Sequence, residues 1–495
     1  MGRFLFRRLT SIWYLFFFLV LSSEVSVSFA SVSCNSIDDQ LEFRFGQETP
    51  VEYSIRTDQL RRACEKPWLI LIDMDADSDL FGNSVWDLHE MEASLRTRAG
   101  KPFAESEKKH GKKVGSGSNL DVVIQWRLPG GRRIRRLHVW ENPQVEYRAT
   151  DDARKFEELG EGIITSPIID DQIVSEARDR SIETAEFMQW ARAKYPSQHL
   201  MMVFWGHHEG LFGKRSSEIR DILARDRDNQ HRNGNYKKID VLALDACFAA
   251  KLELTTEFAQ FAHFYFAPSG TQSALGLPYR RFLREIHSGH LAGFASSSEL
   301  ITDSPLSPLG LAKMLPRVMG ASLSGRALPR RFDRSVSQYF ASSSWDLSLL
   351  ESEVLPAWRA WASTLLEWLN QGGEESRFVL RLAWDLASQS PTQAYRGNDS
   401  LVSWLQRYVL ELRSLGQDIP LGEVGYQNLE EAENLVLVLR RARVSHFQAK
   451  GVPEASVGMW LPASREELEF RQDEYLRSFS AEIAKFWLPS LNRLY

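Results

Sequence analysis

The chain has 495 residues, 43% of them hydrophobic and 25% charged, with a formal net charge of -5. This balance excludes a disordered chain, a collagen and a disulfide-rich miniprotein, and it leaves enough apolar mass for sizeable cores. No excess of positive charge points to nucleic acid as a partner.

At the start, Arg3, Arg7 and Arg8 precede the apolar run 12–21 (IWYLFFFLVL), and Ser28 and Ala30 follow at the spacing of a small-x-small cleavage site. Residues 1–30 therefore read as a secretory signal peptide, shorter than the about 20 apolar residues that a membrane span needs. The expectation is an exported protein, periplasmic, cell-surface or extracellular, with no stable membrane insertion after cleavage. Its three cysteines are Cys34, Cys64 and Cys247. An oxidising compartment pairs thiols or protects those with a chemical task, so Cys34 either pairs with Cys64 or carries lipid, and pairing leaves Cys247 free.

Next, 68–73 (WLILID) suits a strand buried on both faces, as in a parallel sheet covered by helices. Segment 100–119, rich in Lys, Gly and Ser, reads as a loop. Segments 120–127 and 132–140 flank Pro129-Gly130-Gly131 and alternate in polarity, which predicts a hairpin with Arg132, Arg133, Arg135 and Arg136 on a solvated face. Further buried-strand runs are 200–205 (LMMVFW), 239–244 (IDVLAL) and 262–267 (AHFYFA), and helical patterns occupy 179–195, 216–227 and 248–261.

Beyond about residue 303 the pattern is helical, at 356–370, 377–388 and 467–488, with one strand-like segment at 456–461 returning to the core. Trp358, Trp361 and Trp368 there read as packing residues. The fold class is α/β, an open, mostly parallel sheet flanked by helices with a largely helical C-terminal region. The domain reading is 31–302 for the α/β unit and 303–495 for the helical region.

Two motifs stand at the ends of buried strands: WGHHEG at 205–210 and LDAC at 244–247. His207 and Cys247 would emerge on one rim if their strands are parallel neighbours. A helix starting near Phe248 would favour the thiolate through its N-terminal N–H groups and dipole. A lone Cys or His in such a place is more often structural, so it is the conjunction that points to chemistry.

DMDADSD at 73–79 follows a strand as an aspartyl-phosphatase motif does, but Asp77 stands where that motif needs Thr or Val. It also fails as a calcium loop, with Ser78 for the turn glycine and Ser84 for the final Glu. Asp75 and Asp77 read as tethers of the loop. His207-His208-Glu209 lacks the His-Glu-x-x-His spacing of a zinc site. No metal ligand set or cofactor is assigned, with a calcium requirement left open.

The blocks KPWLILIDMDADSDL (66–80), HLMMVFWGHHEG (199–210), IDVLALDACFAAKLEL (239–254) and FYFAPSGTQSALGLPY (264–279), followed by SVGMWLP (456–462), resemble the clostripain-like cysteine peptidases in the same order. The resemblance covers most of the mature chain, least of all 281–448, and it implies a caspase-like fold. By that resemblance Cys247 attacks the scissile carbonyl and His207 moves the protons.

The oxyanion would sit on the backbone N–H groups of Cys247 and of His208, which stands where the family has glycine. Asp245 would bind substrate, since the family cleaves after Arg or Lys through acidic pocket residues. Ala274-Leu275-Gly276-Leu277 replaces the second acidic site and makes the pocket less anionic. Lys214, Arg215, Arg225 and Arg227 offer basic sites for self-cleavage. The implied partners are peptide or protein substrates, the oligomeric state is open, and the alternative is an impaired pseudo-peptidase serving as a peptide- or protein-binding scaffold.

Overall fold

A computed structural model describes residues 32–34, 37–94, 114–146, 154–175, 179–208, 211–212, 214–272, 276–289, 304–324, 340–388, 400–448, 454–462, 464–478 and 481–495. The expected signal segment, the loop up to residue 113, Glu209, and Ala274 and Leu275 lie outside them.

Nine strands form the main path of one sheet: β1 (Cys64–Asp75), β2 (Leu120–Arg127), β3 (Arg133–His138), β4 (Ile168–Ile173), β5 (Ser197–Trp205), β6 (Ile239–Asp245), β7 (Ala262–Pro268), β8 (Ala341–Asp346) and β9 (Arg443–Gln448). Their order is β9-β8-β7-β6-β5-β1-β2-β3-β4. From β7 to β2 all neighbours are parallel, and β3 and β8 run against the rest. This is the open, mostly parallel sheet that the sequence implies.

The apolar runs alternate between two cores. Leu69 and Leu71 of β1, Leu200, Met202 and Phe204 of β5, and Leu242 and Leu244 of β6 face one side. Trp68, Ile70, Ile72 and Met74, with Met201, Val203, Trp205, Val241 and Ala243, face the other. A period of two with both faces covered is why these segments read as continuous apolar runs. Each Leu, Ile, Val, Phe or Met among them contributes about 1.5–3 kcal/mol of burial.

Helices α1 (Pro50–Ala63), α2 (Phe81–Glu92), α3 (Arg180–Lys194), α4 (Lys214–Arg232), α5 (Leu252–Phe258), α6 (Tyr279–Ser288) and α7 (Pro308–Ser324) alternate with the strands. Residues of α3, α4 and α5, such as Phe187, Ile222 and Leu254, join the first core, and Leu88, Phe282 and Leu315 carry α2, α6 and α7 into the second. Asp179 caps α3 by accepting from the Ser181 N–H.

The C-terminal helices are α8 (Leu355–Gln371), α9 (Glu374–Ser388), α10 (Leu401–Leu415), α11 (Gly422–Ala442), α12 (Arg465–Ser478) and α13 (Ala481–Leu494). Trp358, Trp361 and Trp368 are fully buried, and with Trp384 and Trp487 they extend the first core, so the helical region shares the core of the sheet. Among the described residues no helix is long and apolar enough to cross a membrane.

Several elements differ from the sequence reading. The helix expected from 248 begins at Leu252, and the single helix expected over 467–488 is the pair α12 and α13. Segment 456–461 makes one parallel bridge, Lys251 to Gly458, and β8 and β9 supply the C-terminal strands of the sheet. Strand β8 (ASSSWD) carries fully buried Ser342, Ser343 and Ser344, and β9 is a part-exposed edge, so neither shows the apolar run of a core strand.

Cys34 is disulfide-bonded to Cys64 at the start of β1, beside the short parallel pairing of Val32–Ser33, so its sulfur is not a lipid attachment point. The hairpin arginines meet acidic partners across the ladder: Arg133 and Arg135 pair with Asp171, and Arg136 with Asp170. Arg132 and Arg133 are exposed as expected, whereas Arg135 is mostly covered and Arg136 is buried, so the solvated face holds only part of the cluster. The Arg133 pair is worth about 0–1 kcal/mol, and all these pairs consume the charge that a phosphate would need.

Candidate active site

The site rests on the pairing of β5 with β6, parallel and in register from Met201 with Val241 to Trp205 with Asp245. His207 and Cys247 each follow two residues beyond that last pair, so the turns that carry them leave the same rim side by side. Gly206 makes the first turn at φ +136, and a Cβ there would lie 3.1 Å from the Asp75 carbonyl oxygen. Only glycine lets the histidine turn lie this close to the end of β1.

His207 is half-exposed, and its Nε2–H donates to Asp79 Oδ1 at 2.6 Å. The carboxylate only accepts, so this bond puts the ring proton on Nε2 and leaves Nδ1 as the basic nitrogen. Asp79 was not singled out in the sequence. The available signal was its place on the strand-end rim, in the run of Asp at 73, 75, 77 and 79.

Cys247 is the free cysteine and is part-buried. Its Sγ accepts from the Gln272 N–H at 3.3 Å, another contact that the motif did not announce. Phe248 follows at φ +53, the one non-glycine with positive φ among the described residues. Its N–H donates to the Gly270 carbonyl at 2.8 Å, and the Ala250 N–H to that of Pro268 at 2.9 Å.

This left-handed step costs about 1–2 kcal/mol and excludes a helix at 248. The helix support expected for the thiolate is therefore absent, because α5 starts too far along the chain and is short. Burial pushes the thiol up from its ordinary value, Asp245 adds to that, and the Gln272 N–H opposes both. A thiol in this state needs a neighbouring base to become a nucleophile.

His208 is buried, and its Nδ1–H donates to the Cys247 carbonyl at 3.0 Å. In the neutral ring Nε2 then accepts from the Ser216 O–H at 2.9 Å, at the start of α4. The side chain absent from glycine thus clamps the turn that carries Cys247. Burial is the main reason its pKa is lowered to about 4, with Arg215 and Lys251 adding to the effect.

Between about pH 6.5 and 4 the unfolded chain binds a proton that folded His208 refuses, so this group makes stability fall as pH falls. His208→Asn, which keeps a donor near Nδ1, should flatten that slope by up to about 1.4 kcal/mol per pH unit. Urea titrations of both proteins across the window check this. Equal slopes would refute it.

Asp245 is 4% exposed, so its carboxylate is turned into its own chain. It accepts from the Leu277 N–H at 2.9 Å, from the Tyr279 O–H at 2.9 Å and from Gln272 Nε2–H. Burial raises its pKa to about 6, and those three donors hold it from rising further. Gly276, at φ +58, lies directly over it: a Cβ there would come within 2.7 Å of Oδ2.

Asp75 and Asp77 tether their loop, both pairing with Arg180 while Asp77 Oδ1 also accepts from the Gly130 N–H. Lys214, Arg215, Arg225 and Arg227 all stand in α4, with Arg215 buried against Asp73. Folded helix keeps those peptide bonds out of an extended cleft.

Residues 149–324, which include both His207 and Cys247, match the profile of the clostripain family. No curated protein matches the chain. Among solved structures, a secreted C11 cysteine protease from Bacteroides thetaiotaomicron bound to an irreversible peptide inhibitor is 12% identical, with a TM-score of 0.49, covering 85% of this chain and 98% of its own. An inactive zymogen C11 protease from Parabacteroides distasonis is 11% identical, with a TM-score of 0.47, covering 84% and 98%.

Proposed function

We propose, from the premise that residues 149–324 belong to the clostripain family of cysteine peptidases, that Cys247 and His207 are the dyad with which this chain hydrolyses peptide bonds. The observation that carries the reading is the register of Trp205 with Asp245, which sends both residues off one rim on adjacent turns.

In the first step His207 Nδ1 takes the Sγ proton as the sulfur attacks the scissile carbonyl. The tetrahedral oxyanion is held by the N–H groups of Cys247 and His208, both backbone donors on the rim. Collapse breaks the C–N bond, and the imidazolium returns its proton to the leaving amine. Water, deprotonated by His207, then cleaves the thioester and frees the thiol. These steps use only groups of the chain, the peptide and water. Export is supported by the Cys34–Cys64 disulfide, which persists in an oxidising compartment.

The testing experiment is labelling of the mature protein by a peptidyl acyloxymethyl ketone. Labelling that vanishes in Cys247→Ala supports the enzyme, and none under any reducing condition favours the scaffold reading.

Substrate choice follows from Asp245. Its carboxylate is occupied by Gln272, Leu277 and Tyr279, so its main role is to fasten the loop whose Gln272 N–H meets the sulfur. Asp245→Ala is expected to lower kcat/KM on basic and apolar P1 peptides alike, within about threefold of each other, by loosening that loop. A loss confined to Arg and Lys substrates in a positional-scanning library would restore it as the receptor for a basic side chain.

A further inference from the structure

The DMDADSD run is only partly explained by tethering. Asp73 accepts from Arg215 and Gln125, Asp75 from Arg180, and Asp77 from Arg180 and the Gly130 N–H. These bonds fix the loop against α3, α4 and the hairpin turn. The next alternate residue, Asp79, meets none of those elements and instead reaches the imidazole of His207. Ser78 holds the turn in place, its hydroxyl accepting from the Leu80 N–H and its carbonyl from that of Phe81, where α2 begins.

We propose that Asp79 is a positioning residue for His207: it holds the Nε2–H, fixes the ring tautomer, and so presents Nδ1 to the Cys247 thiol. The assignment rests on the proposed dyad and adds a third member to it. In its support, the Asp79 carboxyl is held below its ordinary value chiefly by the bond from His207.

A freely rotating imidazole on an exposed turn would face the sulfur with the wrong nitrogen or none for part of the time, and a fixed acceptor on Nε2 removes those states. Asp79 is 84% exposed and His207 53%, so solvent weakens the pair. The effect is therefore one of orientation, well short of the about 10⁴-fold seen for a buried triad carboxylate.

The test compares Asp79→Ala and Asp79→Glu with the parent chain by peptide kinetics and by the rate at which iodoacetamide alkylates Cys247. The alkylation is read cleanly, because the other two cysteines are disulfide-bonded. Asp79→Ala should lower kcat about tenfold, with KM within about twofold, and slow alkylation by about threefold. Asp79→Glu should restore most of both losses.

Asp79 is exposed, so its removal leaves the core intact, and an unchanged melting temperature in Asp79→Ala excludes misfolding as the cause. Unchanged kcat or an unchanged alkylation rate in that variant overturns the assignment. A parent chain that alkylates but cleaves no peptide counts against the peptidase reading, and the alkylation rates still decide on Asp79.

Discussion

Cys247→Ala is expected to remove peptide hydrolysis, with kcat/KM down by at least about 10³–10⁴, and His207→Ala to come within about tenfold of that loss. In the proposed mechanism the sulfur is the attacking atom, and a methyl group in its place supplies no electron pair. The histidine matters almost as much because the thiol is pushed above its ordinary value by burial, with Asp245 acting in the same direction. Near neutral pH little thiolate forms unaided, and the Gln272 N–H at 3.3 Å is a single neutral donor.

The double variant should be no worse than Cys247→Ala, since the two groups act as a unit. Fluorogenic peptides assayed on the mature protein give the rates, and the ketone label gives the fraction of competent sites. A His207→Ala protein that retains more than about a tenth of the parental kcat would remove this residue from the proton path.

The sheet was legible wherever strands bury apolar side chains on both faces. Runs 68–73, 200–205, 239–244 and 262–267 all lie within β1, β5, β6 and β7, because two covered faces leave no polar alternation to obscure the pattern. Strand β8 was hidden by its buried serines, whose hydroxyls suggest a loop, and β9 by its polar edge character.

At the site, the strand-end motifs place His207 and Cys247 on one rim, as the parallel register has them, whereas the turn after the cysteine differs from the expected helix. Phe248 to Phe261 has helical composition, and what stops a helix at its start is the left-handed Phe248, held by the Gly270 carbonyl, with Ala250 held by that of Pro268, neither visible in local pattern. Asp79 offered only its place in the alternating Asp run, and Gln272 and Ser216 offered no signal. Asp79 reaches His207, Gln272 reaches Cys247 and Ser216 reaches His208, and such contacts are set by the tertiary fold, which local pattern does not report.

Asp121→Asn is expected to destabilise the protein by about 3–5 kcal/mol, a large share of the about 5–15 kcal/mol that holds a domain folded. Asp121 sits near the start of β2 with its carboxylate fully buried. It accepts from Arg61 NH1 at 2.5 Å, from Lys66 Nζ at 3.1 Å and from His138 Nε2–H at 2.9 Å. The Tyr53 O–H closes the network by donating to His138 Nδ1 at 2.6 Å.

Burial alone would raise the Asp121 carboxyl, and Arg61, Lys66 and His138 together overcome that and hold it far below its ordinary value. Asparagine keeps the shape but removes the negative charge that faces two buried cations. The sign in pH follows: a depressed carboxyl contributes its stability above about pH 4, the unfolded value, and loses it as pH falls toward the folded one. Urea unfolding at neutral pH should therefore show the full difference between parent and variant, and the gap should narrow steadily below about pH 4. A gap under about 1 kcal/mol at neutral pH would mean that Arg61 and Lys66 find water or other partners when the carboxylate is lost.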